Sequence, residues 1–156
     1  MKIKTQIQSD EDKQELLITR AFDLPIHLLF KAFIDPDIVS QWMGTKVIKL
    51  DIRKHGSYQF ITTDPMGNKH GFNGVIHEFV LNKKITRTFE MENSNFPVQL
   101  EFLTFHHVSE ETSELKMHII YKSVEYKNQM LQLPFAQGIN MAHNRLQAIV
   151  KKLDHE

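Results

Sequence analysis

The chain has no cysteine among its 156 residues, which excludes a disulfide framework, a thiolate metal site and a cysteine nucleophile. It has no surplus charge of either sign, since nineteen Lys and Arg balance nineteen Asp and Glu, and no long run of one sign. The electrostatic footprint of a nucleic-acid or anionic-membrane binder is therefore missing. Long apolar runs are lacking too. The opening "MKIKTQIQSDEDKQ" has no apolar core of the signal-peptide kind, and no later run approaches a membrane span. The expected location is the cytoplasm. No Walker loop, dinucleotide fingerprint, G-x-S-x-G or HExxH motif occurs, so neither an enzyme class nor a cofactor is indicated. The adjacent His106 and His107 point to opposite faces of a strand and cannot simply share an ion, so no metal site is expected.

What is present is periodicity, and it changes twice. At this length the expectation is one domain over 1–156, with 1–14 a polar extension or a short edge strand, the latter at Lys2–Ile7. "ELLITRAF", Glu15 to Phe22, is strand-like. Ile26, Leu29, Phe30 and Phe33 then repeat at helical spacing, with Pro25 in the first turn. Asp35 is the expected N-cap of a second short helix, Pro36 takes N1, and Gly44 ends it. From Thr45 the period becomes two: Ile48, Leu50 and Ile52 alternate with Lys49 and Asp51, and strand-length pieces separated by short turns continue to Lys122. After Tyr126 the pattern is helical again, with "NQMLQL" as a lead-in and a main helix from about Pro134 to Leu153. That helix bears the apolar stripe Phe135, Ile139, Ala142, Leu146, Ile149, Val150 and Leu153. The predicted class is α+β: an antiparallel sheet of six or seven strands and a long terminal helix whose only available partner is that sheet.

The order strand, two short helices, meander and terminal helix is the helix-grip arrangement. "ITRAFDLPIHLLFKAFIDPDIVSQWMG" resembles the opening of the START-like (SRPBCC) superfamily, in its branch related to the activator of heat-shock protein 90 ATPase. Arg20, Phe22, Pro25, Phe30, Ala32, Asp35-Pro36 and Trp42 carry the resemblance there; Asp51, Gly56, Gly74, Thr88-Phe89, Gly138 and Leu146 extend it. The resemblance implies a curved sheet gripping the terminal helix, with a cavity between them that in relatives holds lipids, polyketides or other hydrophobic molecules. The chain departs from the family's usual residues at Arg87, Ile139 and His143.

Three functions follow as expectations. The first is binding of a small hydrophobic or amphipathic molecule, with an acidic or hydroxylated end, in the cavity. The second is a co-chaperone-like contact with a chaperone ATPase. The third is an enzyme using the cavity for cyclisation or hydrolysis, with Arg87, His143 and Tyr58 as its polar groups. The candidate ligand-binding residues are Trp42, Tyr58, Phe60, Arg87, Phe89, Phe102, Met117, Phe135, Ile139 and His143. The aromatic and Met positions equally suit plain core filling. Arg87 shares a strand face with Ile85, Phe89 and Met91, where an unpaired cation is costly. It is expected to reach solvent at the mouth, to pair with an acid such as Glu78, or to receive an anionic ligand head. His143, on the apolar helix face, is either a satisfied core histidine bonded to a backbone group, Tyr58 or Tyr121, or a polar anchor for a ligand.

Overall fold

The computed structural model describes residues 3–154. Eight strands form one antiparallel sheet in the order β1-β2-β8-β7-β6-β5-β4-β3. β1 (Gln6–Ser9) and β2 (Glu15–Phe22) are followed by α1 (Ile26–Ile34) and α2 (Pro36–Met43). The meander then runs β3 (Lys46–Leu50), β4 (Ser57–Thr63), β5 (Lys69–Val80), β6 (Lys84–Met91), β7 (Gln99–His107) and β8 (Ser113–Ile120). α3 (Val124–Gln132) and α4 (Phe135–Asp154) complete the chain. This is the predicted helix-grip class with more strands than the predicted six or seven. The polar β1 has no alternation to announce it, because it is an edge strand largely exposed on both faces and held by backbone pairing to Leu16–Thr19. The expected strand at Lys2–Ile7 begins later, and Lys2 itself lies outside the described residues.

The helix signals act as read. Asp35 Oδ1 accepts from the backbone N–H of Asp37 (3.0 Å) and Ile38 (3.3 Å), Pro36 follows at N1, and Gly44 closes α2 at φ 61°, a left-handed conformation that glycine adopts without a Cβ penalty. Pro25 sits at the N-cap of α1 rather than inside its first turn. α3 starts earlier than the expected lead-in because Ser123 caps it, accepting from Tyr126 N–H.

Two bulges bend the sheet around the helix. In β3 the register shifts between Val47 and Lys49, which turns Ile48 outward and leaves it exposed. The expected alternation of Ile48, Leu50 and Ile52 fails for this reason: an extra residue inverts the parity. A second shift, between Ile76 and Glu78, interrupts the long β5. Gly74 in β5 is fixed by close approach, since a Cβ there would lie 2.0 Å from the Thr88 carbonyl and 2.5 Å from the Tyr58 hydroxyl. The inward faces of β2 (Leu16, Ile18, Phe22) and β8 (Leu115, Met117, Ile119) join Leu29, Phe30 and Phe33 of α1 and Leu146 and Val150 of α4 in one core. α4 packs on α1, α2 and α3. It bridges over the sheet, and between them a space remains.

Candidate functional site

The space is a cavity of about 410 Å³, lined by the inward residues of β6 to β8, one face of α4, and Trp42 and Met43 of α2. Its rim is half-buried or exposed and mainly apolar: Phe72, Phe89, Met91, Phe135 and Ile139, with Gly138 and Arg145. Its floor is mixed: Met117, Ile119 and Met130 surround Gln99, Glu101, Tyr121 and His143, all buried, and the nearly buried Arg87. Sites for small molecules commonly combine apolar walls with a few placed polar groups, at volumes of roughly 300–1,000 Å³.

The floor chemistry begins with sheet register. Arg87 of β6 stands directly opposite Glu101 of β7, and its Nε donates to Glu101 Oε1 at 2.9 Å. The side chains are only 15% and 5% exposed. Gln99 Nε2 donates to the other carboxylate oxygen at 2.8 Å, and the guanidinium carbon lies 5.4 Å from the centre of the Tyr58 ring. Burial opposes the charged form of Arg87, yet its oxygen neighbours on Tyr58 and Glu101 outweigh this and hold it above its ordinary value. Arg87 is therefore charged and compensated internally by its contact with Glu101. Tyr121, just past β8, has a buried hydroxyl with no hydrogen-bond partner among the described residues. Burial, reinforced by the Glu101 charge, raises its pKa, so the phenol keeps its proton.

His143 closes the back of the cavity. Its Nδ1 is 2.7 Å from Thr5 Oγ1, and Asn140 Oδ1 accepts from Thr5 N–H at 2.9 Å and from Arg20 Nη1 at 3.3 Å. Burial and the nearby Arg20 charge push His143 down to about 3, so the ring is neutral. The segment before β1 thus locks α4 to β2 through side chains 135 and 138 positions away in sequence.

Seven of the ten candidate residues share this cavity: Trp42, Arg87, Phe89, Met117, Phe135, Ile139 and His143. Tyr58 and Phe60 face inward but belong to the filled core beside it, their rings 5.2 Å apart, and the Tyr58 hydroxyl is engaged by the Thr88 carbonyl. Phe102 lies on the opposite face of the sheet. There it stacks on His118 at 5.9 Å and borders a shallow depression with Lys13, Glu15 and Lys116. The depression, about 540 Å³, mixes Leu16, Leu17 and Phe102 with charged and polar chains of β1, β2, β7 and β8 and lies outside the space between sheet and α4. Glu78 is not the partner of Arg87; it accepts from Lys84 (2.9 Å) and Thr86 (2.8 Å) instead, because the β5 bulge displaces it. The partner of His143 is Thr5, not Tyr58, Tyr121 or a backbone group. Gln99 and Glu101 were missed by sequence reasoning, and Tyr121 entered it only as a possible partner of His143. No group of three or more His, Asp and Glu able to hold a metal ion occurs among the described residues, and no helix there is long and apolar enough to cross a membrane.

Comparison with known proteins places this geometry in a family. Residues 23–151 match the family described as Activator of Hsp90 ATPase homolog 1-like protein. No curated protein matches. Among solved structures, a protein from Mycobacterium smegmatis shares 22% identity at a TM-score of 0.83, with 95% of this chain and 96% of that one covered. One from Rhodobacter sphaeroides shares 18% at 0.85, covering 96% and 99%, and one from Staphylococcus epidermidis 17% at 0.81, covering 94% of each. At such identities the likeness speaks for the fold alone.

Proposed function

Because the chain belongs to the Activator of Hsp90 ATPase homolog 1-like family, a branch of the START-like superfamily, we propose that it binds a small, largely apolar molecule between its sheet and α4. The observation that carries this reading is the cavity of about 410 Å³ with apolar walls and a buried polar floor. Its apolar lining forgoes the dispersion contacts that a filled interior would give those side chains, contacts that a bound apolar molecule would supply. A mouth between Phe89, Met91, Phe135 and Ile139 offers entry past side chains that are already half-exposed. Binding would bury them and release their hydration water.

Gly138 supplies the test. It lies at the rim, and a Cβ built on it meets nothing within 4 Å. The Cβ of Gly138→Phe is therefore accommodated and its ring should narrow the mouth, while replacing a helical glycine by Phe gains roughly 0.3–0.5 kcal/mol rather than costing stability. The uncharged dye Nile red should bind the wild type and quench Trp42, the single tryptophan and a cavity wall; Gly138→Phe should remove that binding at a melting temperature no lower than that of the wild type. Native mass spectrometry of the purified chain should reveal a co-purified small molecule. Dye binding that is absent, or equal in wild type and Gly138→Phe, would overturn the reading and move the proposal to a protein-interaction role.

A further inference from the structure

Resting on the ligand-binding reading above, we infer that the cavity selects an uncharged ligand, an apolar body carrying a carbonyl or hydroxyl oxygen, over the carboxylate of the same shape. The first ground is charge. Among the described residues of the floor the only cation is Arg87, and it is already held by Glu101 at 2.9 Å. Glu101 is itself tied on its second oxygen by Gln99, so it cannot swing away to make room for a competing anion. A ligand carboxylate brought to Arg87 would sit beside a buried carboxylate in a water-poor space, where like charges repel strongly. His143 is neutral and offers no compensating charge. Arg145 stands at the exposed rim with its Nε on the Trp42 carbonyl, where solvent screens it.

The second ground is the unpartnered hydroxyl. Tyr121 is 4% exposed, its hydroxyl has no partner among the described residues, and it lines the cavity. A buried O–H donor without an acceptor is rare and costly. A small shift of the ring toward the cavity would let a neutral ligand oxygen satisfy it without adding charge next to Glu101.

Three shape-matched probes separate the cases: 2-acetylnaphthalene, 2-naphthoate and 2-isopropylnaphthalene, each measured by displacement of Nile red at neutral pH. On the wild type the ketone should bind about tenfold or more tighter than the carboxylate and measurably tighter than the hydrocarbon. Tyr121→Phe should erase the advantage of the ketone over the hydrocarbon while leaving the hydrocarbon unchanged. Glu101→Gln should raise naphthoate affinity by about tenfold or more by leaving Arg87 uncompensated. Naphthoate binding the wild type as tightly as the ketone, or gaining nothing in Glu101→Gln while Nile red still binds, would overturn this inference alone. Failure of Nile red and all three probes to bind the wild type would overturn the cavity reading and the inference with it.

Discussion

At the end of the molecule where α1 and α2 meet the sheet, Phe30 and Phe33 pack on Phe105 with ring centres 4.8 and 5.4 Å away, and Phe33 meets Trp42 edge-on at 5.2 Å. The one polar atom of that aromatic cluster is satisfied, the Trp42 N–H donating to the Ala32 carbonyl at 2.6 Å. Under the first turns of α4 the same sheet instead presents an ion pair, an amide and a hydroxyl without a partner around open space. The first region is what packing and hydrogen-bond satisfaction produce when stability alone decides. The second keeps features that cost free energy in the unliganded chain, and such features are expected where a ligand is to be held.

Cutting one residue at each end should produce similar losses by different physics. Phe30→Ala, a fully buried residue that does not line the cavity, should destabilise by about 3–5 kcal/mol through lost burial and a residual void. Arg87→Ala should also cost about 3–5 kcal/mol, because it leaves the Glu101 carboxylate buried without its cation. Only the second loss should be recoverable. Arg87→Met combined with Glu101→Met removes both charges and should restore most of the stability, whereas no polar partner change rescues Phe30→Ala. Urea denaturation of the four chains checks this, and a double variant as unstable as Arg87→Ala would mean that the pair is more than a compensated charge.

Acid should strike the cavity end first. His143 is lowered to about 3 by burial and by the Arg20 charge, against about 6.5 in the unfolded chain. Between those values the unfolded state binds the extra proton, so stability is full above about pH 6.5 and is lost progressively as pH falls toward 3. Between pH 7.5 and 5 the loss from this group should reach about 2 kcal/mol. His143→Leu removes the titrating group, so the difference between the two stability profiles should shrink by that amount over the same window. Parallel profiles would show that the ring titrates alike in both states.

The fold was legible because most strands and helices carry one-sided patterns: β8, with Leu115, Met117 and Ile119 in and Lys116 and His118 out, admits only one orientation. β7 did not, since Leu103 and Phe105 on one face are matched by Leu100 and Phe102 on the other. Phe102 was placed inward on hydrophobicity, which could not choose. Register decides it: Glu101 lies opposite Ile119 and Phe102 opposite His118, and directly opposed residues share a face. Transferring the clear orientation of β8 onto β7 would have brought Gln99 and Glu101 inward and exposed the partner of Arg87. The Thr5–His143 bond carries no such signal, because it joins a polar extension to a helix 138 positions later.

The smallest expected effect has the most diagnostic sign. Tyr58 and Tyr121 are both buried tyrosines whose protons burial retains, but Tyr58 donates to the Thr88 carbonyl while Tyr121 has no partner among the described residues. Replacing each by Phe deletes one oxygen and keeps the ring. Tyr58→Phe removes a made hydrogen bond and should cost about 1 kcal/mol. Tyr121→Phe removes a desolvated group that gained nothing in return, and should stabilise the empty protein by about 1 kcal/mol, or roughly 2–4 °C in melting temperature for a chain of this length. A hydroxyl that stabilises the protein when deleted has a reason other than the fold to be there. Opposite signs for the two variants in ligand-free thermal unfolding would support that reason. A loss in both would mean that Tyr121 is satisfied in solution, by water or by a small shift toward Glu101, and that the cavity floor is ordinary core.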